Sequence, residues 1–308
     1  MNPMQSSRRT FLKSAVALTG AAMITRPSSL FGMKTKNELT GVQLYSVREE
    51  MKADPLGTLK QLAAMGYRHV EHANYIDRKF YGWSAKEFKK ILDDLGMTMP
   101  SGHTVMRGDH WDESKKDFTD AWKYTIEDAA ILGQKFVISP SMDQRIRRSL
   151  DDLKRFMEIF NKSGELCKKA GMKFGYHNHD FEFSEKFGNE TLYDLILKHT
   201  DPDLVMQQLD VGNMYNAGAK AIDFINKYPG RFPSMHVKDM IQGNEDANHK
   251  YDSTILGKGI IPVKEIIDAG RKKGGTIHFI VEQEAYQGKS PLECMKEDLE
   301  VMKKWGYV

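Results

Sequence analysis

The sequence predicts an α/β fold, a (β/α)8 TIM barrel, on three observations. Short apolar runs alternate with helical patterns eight times between Leu39 and the C-terminus. Glycine follows most of the helical patterns, as a left-handed C-terminal cap requires. Polar residues gather at the C-terminal ends of the apolar runs, and in a barrel all those ends lie on one rim.

The eight strands are read at residues 41–45, 68–72, 97–103, 135–139, 172–179, 204–210, 232–238 and 276–282. Helices are expected between and after them at 55–65, 85–95, 112–132, 149–170, 191–199, 220–228, 263–272 and 291–304. Gly66, Gly96, Gly133, Gly171 and Gly274 mark helix ends. Strand, helix and strand in succession cross over right-handed and make the sheet parallel. Closing that sheet removes both of its exposed edges. A doubly wound open sheet is the structural competitor. It calls for a glycine-rich phosphate turn after the first strand, where this chain has Tyr45-Ser46-Val47-Arg48. One connection, residues 239–261, is long and glycine-rich; it is read as a lid, with His249 and Lys258 as substrate contacts.

Residues 1–33 are set apart as a twin-arginine export signal and linker, and residues 34–308 as a single barrel domain. Arg8 and Arg9 precede Phe11, Leu12 and Lys13, and a small apolar run follows from Ser14 to Ile24. The expectation is export by the twin-arginine route to a bacterial periplasm, with no membrane association after signal removal. The whole chain has 45 basic and 42 acidic residues. Removing Arg8, Arg9, Lys13 and Arg26 leaves 41 against 42, a net charge of −1. A body so nearly neutral argues against nucleic acid as a partner. Cys167 and Cys294 fall in separate helical patterns, where a disulfide is not expected. Homo-oligomerisation is left open.

The rim residues are Glu71 and His72, His103, Ser139, His177 and His179, Asp210, His236 and Lys238, and Glu282 and Glu284. Read as a continuing strand, the stretch from Lys173 to Phe183 points His177 and His179 the same way and Asn178 the other. Asp210, His236 and Glu282, joined by a carboxylate or imidazole from strand five, make a mixed oxygen and nitrogen cage suited to one divalent metal ion, Mn2+, Co2+, Zn2+ or Mg2+. The bland alternative is a salt-bridge ring of Asp210, Glu282, Glu284 and Lys238.

The segments Tyr176-His177-Asn178-His179-Asp180-Phe181-Glu182-Phe183, Leu209-Asp210-Val211-Gly212-Asn213, His236-Val237-Lys238-Asp239 and Val281-Glu282-Gln283-Glu284, in this order, resemble the xylose-isomerase-like TIM barrels of the sugar phosphate isomerase/epimerase family. The resemblance runs from about Gly41 to the C-terminus. It implies a metal held by Glu, Asp, His and Glu from strands five to eight, matched here by Glu182, Asp210, His236 and Glu282. His177 is the alternative on strand five. Where many relatives have histidine after strand six this chain has Asn213, which cannot move a proton near neutral pH. Acid-base work is therefore assigned to His177, His179 and Glu284, with Lys238 facing a developing oxyanion. Glu71, His103, Asn178 and Asn213 are assigned to substrate binding.

The reaction so implied is sugar isomerisation or epimerisation by proton abstraction next to a carbonyl, through a metal-stabilised enediolate. A lyase or dehydratase acting on a keto-sugar or 3-keto-glycoside is the alternative. Export shifts the expected small-molecule substrate from sugar phosphates towards free sugars and glycosides. A non-catalytic exported sugar-binding protein is the reading from another class, with Tyr45, Tyr75, Trp83, Trp111 and Tyr286 as stacking surfaces. The endonucleases of the same superfamily are set aside on charge.

Overall fold

The computed structural model describes residues 38–243 and 250–308. The segment expected to be an export signal and His249 lie outside the described residues. Among those described, no helix is long and apolar enough to cross a membrane.

Eight parallel strands close into a barrel. They are β1 (Leu39–Gln43), β2 (His69–His72), β3 (Thr98–His103), β4 (Phe136–Ser139), β5 (Lys173–His177), β6 (Val205–Asp210), β7 (Ser234–Val237) and β8 (His278–Val281). Each pairs with its sequence neighbour, and β1 pairs with β8, Leu39 opposite His278. The expected (β/α)8 architecture is therefore present.

Residues two apart on a strand share a face, so Met206, Gln208 and Asp210 climb one inward face of β6. The lower level is mostly apolar, with Met206 against Phe136 and Ile138 and with His278 stacked on Phe136. Gly175 leaves room there, since a Cβ on it would lie 2.9 Å from the Met206 methyl. From Gln208 upward the interior is polar. The outward faces carry Val, Ile, Leu, Phe and Tyr, which pack against the helical layer.

The helix ends follow local chemistry. Ser84 and Ser290 form capping boxes with Glu87 and Glu293. Gly66, Gly133 and Gly306 cap helices with positive φ. Four expectations shift. The helix read from 112 begins at Asp120, because residues 111–118 form a short hairpin, Trp111–Asp112 with Asp117–Phe118. The helix read to Lys272 ends in a wide turn, Gly270–Gly274, and its left-handed cap is Gly275. β5 stops at His177, after which the chain turns into a short helix, Phe181–Ser184. The long connection after β7 is folded: Asp239–Gln242 pairs antiparallel with Tyr251–Thr254. The Asp239 carboxylate accepts backbone N–H bonds from Met240, Gly257, Gly259 and Ile261, which organises the rest of it. Lys258 pairs with Glu297 at 2.8 Å rather than facing the cavity at the rim. Cys167 and Cys294 are free and buried.

The longest helix, Leu150–Lys169, lies against the start of β6 at Gly164, where an added Cβ would stand 2.6 Å from the Leu204 carbonyl oxygen. Alanine ordinarily improves a helix interior by about 1 kcal/mol over glycine. Here the backbone clash outweighs that gain. Gly164→Ala is expected to lower stability by about 1–3 kcal/mol in urea denaturation; a stabilised variant would show that the helix can move away from β6 freely.

Candidate active site

The polar interior begins with Gln208. Its Oε1 accepts from His103 Nε2 at 2.6 Å and from His177 Nδ1 at 3.0 Å, while its Nε2 donates to Glu71 Oε2 and Ser234 Oγ. One amide thereby joins β2, β3, β5, β6 and β7. Gln43 donates to Glu71 Oε1, and Ser101 donates to Glu71 Oε2. Sequence reading missed Gln43, Ser101 and Gln208. The available signal was two glutamines in the middle of an otherwise apolar strand, one of them two residues before Asp210.

Glu71 is fully buried and does not line the cavity, so the structure removes it from the substrate-binding set. It lies beneath His236 and accepts from its Nε2 at 2.6 Å. His236 Nδ1 in turn faces Glu282 Oε2 at 2.9 Å. Burial pushes this imidazole towards neutrality, but Glu282 and Glu71 outweigh burial and hold its pKa up at about 10. Lys238, nearly wholly buried, extends its ammonium to Asp210 Oδ2 at 3.0 Å, Glu282 Oε2 at 2.8 Å and Glu284 Oε1 at 2.8 Å. The salt-bridge ring weighed from sequence is therefore present. Burial works against that ammonium, yet its three carboxylate partners hold its pKa well above the ordinary value.

Asp210 ends β6 and caps the next short helix, its Oδ1 accepting from Asn213 N at 2.8 Å. Its Oδ2 is buried and accepts no hydrogen bond, though it faces Lys238. Burial raises its pKa to about 6, with Lys238 opposing. Asn178 is removed from the substrate set as well. It is fully buried, and its side chain laces β5 to β6 by accepting from Asp210 N and donating to Asp210 O. Asn213 lines the cavity and spends one amide N–H on the Asn178 carbonyl.

The two strand-five candidates separate cleanly. Tyr176 alternates away from His177 and points into the helical layer against Phe160. Glu182 follows Tyr176 there: it accepts from the Tyr176 hydroxyl and, at 2.9 Å, from His179 N. Buried without a cation, its pKa is pushed up to about 8. It is not among the residues whose ligand atoms converge, whereas His177, the alternative on strand five, converges with His103 and His236. His177 Nδ1 is committed to Gln208, and its Nε2 lies 3.8 Å from Asp210 Oδ2. Burial, helped by His236 and His103, drives its pKa well below the ordinary value, so the Nε2 lone pair is free.

Asp210, His236 and Glu282 offer ligand atoms all within 4.8 Å of one another, as do His103, His177 and His236. Glu71, Asp210, Glu282 and Glu284 against His236 and Lys238 leave two uncompensated negative charges. Oxygen and imidazole donors, a buried carboxylate oxygen without a hydrogen bond, and that residual charge all fit a divalent cation. His236 would meet it through Nδ1 on giving up the proton held there, oriented from behind by Glu71.

Above this set opens a cavity of about 1270 Å3, lined by His103, His177, His179, Asn213, Lys238, Glu282 and Glu284 among others. The His177 and His179 rings are 5.1 Å apart although β5 has ended between them. His179 Nδ1 has no partner, and burial followed by the nearby Lys238 lowers its pKa to about 4. Tyr45 and Tyr75 line the cavity. Trp83, Trp111 and Tyr286 do not: they pack on Phe88, on Phe118 and against Ser46 and Arg48.

The model of the Xylose isomerase-like TIM barrel family matches residues 59–305. The chain belongs to that family. It is 29% identical to a sugar phosphate isomerase/epimerase from Parabacteroides distasonis, with a TM-score of 0.75 over 89% of this chain and 96% of that one. It is 26% identical over 151 residues to the inosose dehydratase of Lacticaseibacillus casei, covering 46% of this chain and 50% of that protein. The chain thus spans about half the length of that relative. To the inosose dehydratase of Geobacillus thermodenitrificans it is 24% identical over 255 residues, 73% of this chain and 80% of the other. Members of this enzyme family with isomerase, epimerase and dehydratase names thus stand beside it.

The buried Glu182 yields a pH test. Its folded pKa of about 8 lies above the ordinary 4.5, so the unfolded chain releases a proton that the fold retains. Stability therefore falls as pH rises through that window and levels off above it. Glu182→Gln is expected to gain stability relative to the parent across that window and to match its pH slope below it. A difference in urea midpoint that stays constant with pH would show that Glu182 is already ionised in the fold.

Proposed function

We propose that the chain is a divalent-cation-dependent dehydratase or carbon–oxygen lyase acting on a keto-sugar or keto-polyol. The observation that carries this reading is a neutral His179 lining one cavity with the Lys238 ammonium and the Glu282 carboxylate, the Asp210 and His236 ligand atoms lying within 4.8 Å of that of Glu282. The relatives named inosose dehydratase support it.

A cation held by Asp210, His236, Glu282 and His177 would supply Lewis acidity at the carbonyl oxygen and make the neighbouring C–H more acidic. His179, whose neutral ring lines the cavity, takes that C–H proton. The electron pair moves into the carbonyl, and the enolate oxygen faces the Lys238 ammonium. As the carbonyl re-forms, the double bond to the β-carbon forms and the β C–O bond breaks. The His179 imidazolium returns its proton to the departing oxygen, so the net change is loss of water or an alcohol. Asn213 keeps its amide oxygen for a substrate hydroxyl, and Glu284 keeps Lys238 paired when the other two carboxylates turn to a cation.

Isomerase or epimerase action is the second reading, favoured by the Parabacteroides distasonis relative matched over nearly its full length. It shares the proton abstraction and differs in where the proton returns. With inosose and free keto-sugars in D2O, the lyase is expected to release water or an alcohol. Deuterium appearing in recovered ketone without elimination would favour the second reading, and neither event with any ketone would leave a sugar-binding protein.

Two variant sets test the parts. His179→Ala is expected to lower kcat by about 10²–10⁴ while leaving cation occupancy intact; an unchanged kcat removes His179 as the base. By elemental analysis, His236→Ala and Glu282→Ala should each lose bound cation. Full occupancy in both would mean that the cluster is an ion-pair ring and nothing more.

A further inference from the structure

We infer that the cavity holds a second binding subsite, on the β2–β3 side of the barrel, for a flat apolar group carried by the substrate: the aryl aglycone of a glycoside. The inference rests on reading the cation cluster as the place of a sugar ketone and extends that reading to the rest of the molecule bound.

Size is the first argument. A cavity of about 1270 Å3 exceeds the roughly 300–1,000 Å3 that encloses a drug-sized ligand, and one sugar ring would leave most of it unfilled. The unfilled part has a definite address. The cation set and Lys238 stand on β6, β7 and β8, whereas Tyr75, Ile76 and Arg78 follow β2, Val105 follows β3, and Tyr124 lies on the helix before β4. In the closed strand order β2 and β3 are four strands from β6 and β7, so this wall faces the cluster across the barrel mouth.

Chemistry is the second argument. Ile76 is 62% exposed, and Val105 and Tyr124 are each 41% exposed, an unusual share of apolar surface for one cavity wall. Two polar groups beside them are already committed. Tyr75 donates to Asp128 Oδ2 at 2.7 Å; Arg78 donates to both Asp128 oxygens and to Glu127. The Arg78 guanidinium also lies 4.1 Å above the Tyr124 ring centroid, fixing that ring in place. Asn74, Asp77, Thr104 and Arg107 line this side as well, so a polar substituent on the bound group would also find partners. A flat ring meets the exposed faces of Tyr124, Ile76 and Val105.

The backbone agrees. Ile76 and Lys79 exchange both hydrogen bonds across a two-residue turn in which Asp77 and Arg78 have φ of 50° and 62°. Glycine or asparagine usually fills such positions. Here the strained turn holds Ile76 out towards the cavity and carries Arg78 to Asp128 and Tyr124. Strain kept in a loop at a cavity mouth is a feature of binding sites.

The test compares phenyl with methyl glucopyranosides, as both anomers, by isothermal titration on the Mn2+-loaded full chain. One phenyl glycoside is expected to bind on the order of tenfold tighter than its methyl counterpart. Tyr124→Ala and Ile76→Asp, both at exposed positions and each checked for an unchanged melting temperature, should bring that ratio close to one. Equal affinities, no binding of any phenyl glycoside, or a ratio that survives in both variants would overturn the subsite. Turnover of simple keto-sugars is measured in parallel. Turnover without a phenyl preference defeats the subsite alone; a phenyl preference without turnover of any ketone defeats the lyase reading and leaves the subsite.

Discussion

The structure depends on a set of charges buried inside a barrel. His236 and Lys238 on one strand end meet Asp210, Glu282 and Glu71 from three others, all of them nearly or fully buried. A lone charge in such a place would cost several kcal/mol, and an isolated one would be neutralised instead. Here each charge has an opposite partner within about 3 Å, and Gln43, Ser101 and Gln208 donate to further lone pairs of Glu71. Such networks specify one arrangement, since any register slip would leave several of these groups unpaired.

The same network sets the protonation states unequally. His103, His177, His179 and His236 crowd together, with ring centroids of His177 and His236 only 4.6 Å apart. Only His236 has carboxylates at both nitrogens, and it alone of the four is held charged. The others lose their protons to burial and to the neighbouring positive charge. Without a bound cation the fold thus keeps one charged imidazole beside neutral ones, and a cation taken up at His236 Nδ1 would displace that proton.

Around this centre the loops give the cavity its shape. The barrel contributes the polar floor, and the turns after β2, β3 and β7 raise the walls. The wall nearest the cluster is polar, and the wall across from it adds exposed aromatic and aliphatic side chains. This division of labour matches the fold, in which rigid strands position reacting groups and connecting loops select what is bound.

The sequence by itself determined the barrel, because eight repeats of strand and helix with glycine stops leave little else for the chain to do. It also determined that Asp210, His236, Lys238 and Glu282 would share the rim, since they end adjacent strands. Tertiary structure decided the rest. Glu182 sits only five residues beyond His177 in the chain, yet the end of β5 and the outward turn of Tyr176 carry it into the helical layer. Glu71 and Asn178 read as substrate contacts but act from beneath and beside the site: Glu71 faces inward at the level of Gln208, below His236, and Asn178 alternates away from His177 to the backbone of Asp210. Gln208 went unread for the complementary reason: its importance comes from partners on four other strands, and sequence spacing carries no record of which strands a barrel brings face to face.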